Sequence, residues 1–256
     1  MPSVNNDLAY ALDPVLWSKE VLGLHPDPWQ IQALRFSAKQ SIWNIHRQAG
    51  KSSIAAIKAL DKAIFKPGSL TLMVSKSERQ SGELYRKFLG YYDKLENPPG
   101  MPEDKALSCT LGNGSRVVAL PGIEDTIRSF SAVSLIIEDE ASRVPDELYI
   151  AIRPMLAVSN GSIILMSTPN GRQNHFYKTW TEGGPQWQKI QVTADQCPRI
   201  TPAFLEEERL NMSENMFRQE YFCEFVDMEG AVFSAELFKS LVDPTRKAMK
   251  FRPTEA

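Results

Sequence analysis

Ile45-His46-Arg47-Gln48-Ala49-Gly50-Lys51-Ser52 decides the reading of this chain, because of what stands on either side of it. Before it, Ser41-Ile42-Trp43-Asn44-Ile45 is a short apolar run with β-branched and aromatic residues, which predicts a strand. After it, Ser52 to Ile64 carries Ala, Ile and Lys at helical spacing, which predicts a helix. A passage from strand through a tight loop into a helix aims the first helical N–H groups, and the positive end of the dipole, at an anion. Gly50 lets the backbone approach phosphate oxygens closely. Lys51 is then placed to reach β- and γ-phosphates, and the Ser52 hydroxyl to bind Mg²⁺. The usual phosphate loop opens with Gly, where this chain has Ile45, so taken alone the stretch could also be an ordinary loop-to-helix turn.

Two further strand ends carry chemistry. Val133 to Ile137 is an apolar run bounded by polar residues, as a buried parallel strand should be, and Asp139 and Glu140 follow it. In phosphate-loop enzymes such an Asp holds Mg²⁺ and its acidic neighbour polarises the attacking water. Glu138 is expected to point away, since side chains alternate along a strand. Ile163 to Met166 is a third buried run, ending in Ser167-Thr168-Pro169-Asn170-Gly171, a turn fixed by Pro and Gly that offers short polar groups. Each pattern has a bland alternative, a solvated acidic turn or a plain β-turn. Three buried strands that all end in polar chemistry fit the rule that open α/β sheets bind ligands at the carboxyl ends of their strands.

The order of elements predicts a largely parallel sheet with helices on both faces. Asp13-Pro14 starts a helix to about Gly23, and Trp29 to Ala38 forms a second. Leu70 to Ser75 is a strand and Ser77 to Leu95 a long amphipathic helix. Asn113-Gly114 between Ser108–Leu111 and Ser115–Leu120 is a strong hairpin signal, placed at an antiparallel sheet edge because it interrupts the βα alternation. Pro145 to about Leu156 is a helix, Trp187 to Val192 a last strand, and Pro202 to Phe222 helical in two pieces. The domain reading is a core over 1–200, a helical subdomain over 201–242 and a polar tail over 243–256.

The 256 residues, 43% hydrophobic, suit one large α/β domain or a domain with a small appendage. Net charge is −2, so any nucleic-acid contact must come from a local patch. Cys109, Cys197 and Cys223 lack metal-site spacing and read as free thiols of a reducing compartment. No apolar run is long enough to span a bilayer, and no signal peptide is expected.

Taken together, these residues resemble the ATPase domain of large terminase subunits, the motors that package DNA into the capsids of tailed bacteriophages and herpesviruses. Arg47-Gln48-Ala49-Gly50-Lys51-Ser52 looks like that family's Walker A variant, Pro28-Trp29-Gln30 like its adenine-side glutamine motif, and Ile136 to Ala141 like its Walker B strand. Ser167 to Gly171 is close to its coupling motif, and Phe217-Arg218-Gln219-Glu220-Tyr221 with Phe225, Gly230 and Phe233 resembles the end of its ATPase domain. The match runs from about Leu24 to Phe238.

The resemblance implies an α/β P-loop NTPase of the ASCE, RecA-like class, with a mainly parallel sheet, an antiparallel hairpin at one edge and a small C-terminal helical appendage. It implies ATP and Mg²⁺ as cofactors. The nucleotide would be held by Trp29, Gln30, Arg47, Gln48, Ala49, Gly50, Lys51, Ser52 and Ser53, and the metal by Ser52 and Asp139. Catalysis would rest on Glu140, on Arg47 over the phosphates in cis, and on Arg128 presented to the neighbouring subunit. Ser129 follows Arg128 where close relatives have Gly. Ser167, Thr168 and Asn170 would couple hydrolysis to movement. Implied partners are double-stranded DNA, a ring of itself (a pentamer on the procapsid, a monomer when isolated), a portal protein and a small terminase subunit, in the host cytoplasm and with no membrane. The family's nuclease domain is expected to be absent from this chain, so nuclease activity is not carried over. Two other readings stay open: a helicase-like translocating ATPase, for which 256 residues leave no second RecA-like domain, and a non-hydrolysing nucleotide-binding assembly protein, against which the intact Lys51, Ser52, Asp139 and Glu140 argue.

Overall fold

Apolar runs too continuous to face water on either side form the centre of the molecule. The computed structural model describes residues 4–121 and 130–227. Among these, eight strands build one sheet: β1 (Gln40–Ile45), β2 (Leu70–Ser75), β3 (Glu103–Lys105), β4 (Ser108–Thr110), β5 (Arg116–Pro121), β6 (Leu135–Asp139), β7 (Ser162–Ser167) and β8 (Trp187–Val192). Their order is β3-β4-β5-β2-β6-β7-β1-β8. Neighbours from β5 to β8 pair in parallel, and β3, β4 and β5 pair antiparallel at one edge.

The helices are α1 (Val4–Leu12), α2 (Pro14–Glu20), α3 (Pro28–Arg35), α4 (Lys51–Phe65), α5 (Glu78–Tyr92), α6 (Asp146–Ile152), α7 (His175–Glu182), α8 (Pro202–Asn211) and α9 (Glu214–Phe222). They cover both sheet faces, and alternate residues of one strand feed different cores. Trp43, Ile45, Met73 and Ile137 pack with Ile54, Leu60 and Phe88 of α4 and α5. Ile42, Leu72, Ile136 and Leu165 pack with Leu148, Ile152 and Phe176 of α6 and α7. The compact unit that holds them runs to Val226.

Local signals explain most boundaries. Asp13 accepts from the Val15 N–H at 3.0 Å, with Pro14 in the first turn of α2. Gly114 supplies φ +82 at the β4–β5 turn, and the Asn113 amide accepts from Ser115 N–H while donating to the Ala63 carbonyl. The edge hairpin therefore stands where Asn-Gly places it, with β3 added outside it. The strand read from Val133 lies two residues later, because it carries Glu138 and Asp139 inside its ladder opposite Leu165 and Met166. The helix read over 145–156 ends in a 3₁₀ turn at Arg153–Leu156, where Pro154 removes a donor. Helix α7 was not expected from the sequence; its cap is local, the Asn174 side chain accepting from Tyr177 N–H at 2.9 Å.

Candidate functional site

Strand order sets the site. β7 lies between β1 and β6, with Asn44 beside Ser167 and Asp139 beside Met166, so three strands end level with one another. The loop after β1, the acidic turn after β6 and the turn after β7 therefore meet at one edge.

The loop after β1 turns through Gln48 (φ +63) and Gly50 (φ +92) before α4 begins at Lys51. The buried Lys51 ammonium donates to the carbonyls of Ile45 at 3.0 Å and His46 at 3.4 Å, folding back over the loop. Ser52 and Ser53 stand in the first turn of α4, half-buried. The Ala49 carbonyl accepts from the Gln30 amide at 3.1 Å and from Arg199 at 3.4 Å, so α3 and the segment before α8 both brace the loop. Gln30 also accepts from Asp27 N–H at 2.9 Å as part of a capping box. One N–H and one lone pair of its amide stay open for a base edge. Trp29 packs edge-on against Trp43 at 6.3 Å, which makes it a core aromatic as well as a neighbour of Gln30.

The turn after β6 places three carboxylates in different surroundings. Glu138 is fully buried and faces His175 Nε2 at 3.0 Å, on the opposite side of the strand, as alternation requires. Burial raises the Glu138 carboxyl; for His175, burial lowers the ring but the Glu138 and Asp146 carboxylates on its two nitrogens together outweigh it, and its pKa rises. Asp139 is buried, and accepts from Glu140 N–H at 3.0 Å. Burial, then the charge of Glu140, pushes its pKa up to about 6, with Lys51 opposing. A carboxylate held up by burial beside a second carboxylate is a donor set that a hard divalent cation would relieve, so the chemistry of Asp139 fits a Mg²⁺ ligand. Among the described residues no group of three or more His, Cys, Asp or Glu is placed to hold a metal ion by itself.

Glu140 has left-handed backbone (φ +51), and its carboxylate is held by Arg143 at 3.1 Å. The turn after β7 joins the same group: Thr168 Oγ1 accepts from Arg143 at 3.2 Å, Ser167 and Ser142 hydroxyls are 2.7 Å apart, and the Asn170 amide donates to the Ser142 carbonyl at 3.4 Å. Arg47 is exposed, and pairs with Glu220 of α9 at 2.6 Å. Arg143 and Glu220 were not read from the sequence as site residues; the stretch containing Glu220 was read only as the end of a domain. Arg128 lies outside the described residues, as do Gly230 and Phe233.

Residues 44–240, more than half the chain, match the family model described as terminase large subunit, T4likevirus-type, N-terminal. The chain belongs to the large terminase family. The large terminase subunit of Thermus virus P23-45 is 25% identical to it over 253 residues, covering 84% of this chain and 52% of the relative. This terminase chain thus spans about half the length of the curated relatives it matches. Its fold is that of the large terminase ATPase domain of Thermus phage P74-26 (TM-score 0.69, 23% identity, 81% of this chain and 96% of the other). A large terminase from a thermophilic bacteriophage, solved in complex with ADP, shares the fold at TM-score 0.58 and 13% identity, over 84% of this terminase and 52% of that one. The sheet order, with one strand between the phosphate-loop strand and the acidic strand, agrees with the P-loop class read from the sequence. Among the described residues no helix of the terminase is long and apolar enough to cross a membrane.

Proposed function

We propose that this terminase chain is a motor ATPase that hydrolyses ATP to ADP and phosphate and drives double-stranded DNA into a procapsid. The supporting observation is that β1, β7 and β6 end side by side, bringing Lys51, Thr168, Asp139 and Glu140 to one edge. In this reading the N–H groups from Gln48 to Ser53 and the Lys51 ammonium hold the phosphates. Lys51 exchanges its two loop carbonyls for phosphate oxygens. Mg²⁺, held by Ser52 and Asp139, would neutralise charge on the phosphates. Glu140 orients and polarises the attacking water. Ser167, Thr168 and Asn170 register the γ-phosphate, being tied to the Glu140 turn by the hydrogen bonds described above.

Gln30 reads adenine with its open N–H and lone pair, with Trp29 behind it. Arg47 reaches the phosphates in cis after leaving Glu220. Arg128 completes the neighbouring subunit's site in a ring, a pentamer on the procapsid, where a positive charge at the γ-phosphate accelerates hydrolysis by about 10³–10⁵-fold. A portal protein and a small terminase subunit would be the partners of the ring, in the host cytoplasm.

The experiment is ATP binding and Mg²⁺-dependent phosphate release by the purified chain and by Lys51→Ala. The chain should bind ATP and turn it over slowly, and Lys51→Ala should weaken binding about tenfold or more. Equal ATP affinity in the two proteins would count against the phosphate site.

A further inference from the structure

Arg143 makes four polar contacts with one guanidinium. It sits at the end of the 3₁₀ turn Ala141–Arg143, directly after Glu140. Its Nη1 donates to Glu140 Oε2 at 3.1 Å, Thr168 Oγ1 at 3.2 Å and Ser142 Oγ at 3.3 Å, and its Nη2 donates to Glu220 Oε1 at 3.2 Å. The remaining contact to the Glu140 carboxylate is Ser167 Oγ at 3.5 Å, at the edge of hydrogen-bond range. The direction in which Glu140 points is therefore fixed chiefly by Arg143.

Arg143 is itself held from the far side. Glu220, in the last turns of α9 and mostly buried, takes Arg143 on one oxygen and Arg47 on the other. One carboxylate thus joins the phosphate loop, through Arg47, to the catalytic turn, through Arg143. A planar fork with fixed donor directions can bridge two carboxylates in a way that a point charge cannot. Loss of Glu220's charge would leave the partly buried Arg143 guanidinium with a weaker partner.

We propose that Arg143 is the positioning residue for Glu140 and that Glu220 anchors it, so that the placement of α9 sets how Glu140 is presented to the attacking water. This rests on the reading of Glu140 as the water-orienting carboxylate. Helix α9 leads into the segment whose Phe225 carbonyl accepts from Arg172, just beyond the coupling turn, so the Glu140 turn and the coupling turn both connect to the stretch that follows α9. A purely architectural Arg143 would pin α9 and affect folding, without separating kcat from KM.

The test is ATP hydrolysis against ATP concentration for the wild-type chain, Arg143→Ala, Arg143→Lys, Glu220→Gln, the double variant Arg143→Ala/Glu220→Gln, and Glu140→Gln in parallel. Arg143→Ala should lower kcat about tenfold or more, with KM for ATP within about threefold of wild type. Arg143→Lys should recover part of the rate, since an ammonium can still pair with Glu140 but cannot fork. Glu220→Gln should show a smaller loss of kcat, and the double variant should lose less than the product of the two single losses, because the Arg143–Glu220 pair is shared by both. Wild-type kcat in Arg143→Ala, a raised KM with unchanged kcat, or losses that multiply as independent effects would overturn the proposal. If Arg143→Ala does not fold, Arg143→Lys and Glu220→Gln decide it: wild-type kcat in both overturns it, and reduced kcat at unchanged KM supports it. An inactive Glu140→Gln beside a full-rate Arg143→Ala overturns the positioning role alone, whereas a full-rate Glu140→Gln overturns both readings.

Discussion

The Gln30 side chain donates to the Ala49 carbonyl at 3.1 Å, nineteen residues along the chain, and ties the start of α3 to the phosphate loop. The same amide nitrogen lies 2.9 Å from where a Cβ on Gly50 would stand. Gly50 is thus constrained twice, by φ +92 and by Gln30.

Gly50→Ala should consequently destabilise the fold by about 1–2 kcal/mol through backbone strain alone. It should also weaken ATP binding, because the amide must move off Ala49. Gln30→Ala added to it should relieve the contact but not the strain. Thermal unfolding and nucleotide titration of the single and double variants check this; a Gly50→Ala chain with wild-type Tm and affinity would contradict it.

His46 gives a pH dependence with a definite sign. It is fully buried beside the loop. Burial, opposed by a backbone hydrogen bond at Arg47 and aided by the charge of Lys51, pushes its pKa down from 6.5 to about 4. The folded state then binds fewer protons than the unfolded chain, so this contribution is fully present above about pH 6.5 and is lost as pH falls towards 4. Between pH 7 and pH 4.5 the wild-type chain should lose about 2 kcal/mol more than His46→Leu in urea unfolding. Equal losses would mean that the ring gains a proton acceptor on folding.

Thr168 is buried and accepts from Arg143, so it is tied to the Glu140 turn. Thr168→Ala should lower DNA translocation by the full-length motor several-fold while changing ATP affinity less than about twofold. Equal losses in both would leave the turn with a structural role only.

What the sequence displayed was whatever is local along it. The phosphate loop, the acidic turn and the Asn-Gly hairpin each need only neighbouring residues, and each stands where it was read. The alternation that sends Glu138 to His175 and Asp139 to the site was also legible, being a property of any strand. Arg143 and Glu220 were not, because they meet across 77 residues and their pairing depends on a left-handed turn at Glu140 that no motif announces. Arg143 reads in sequence as one more surface cation. Helix α7 was missed for a different reason: its capping Asn174 follows closely on the turn Ser167–Gly171 and looks like part of that loop.

Hydrolysis by Glu140→Gln puts the proposed chemistry to its hardest test. The amide keeps the shape of the side chain and leaves Lys51, Ser52 and Asp139 intact, so ATP should bind within about threefold of wild type. It cannot polarise water, so single-turnover phosphate release should fall about 10²-fold or more. Tight ATP binding with no release is the expected result. Phosphate release at the wild-type rate would contradict the assignment of Glu140 and, with it, the catalytic reading of the β6 turn.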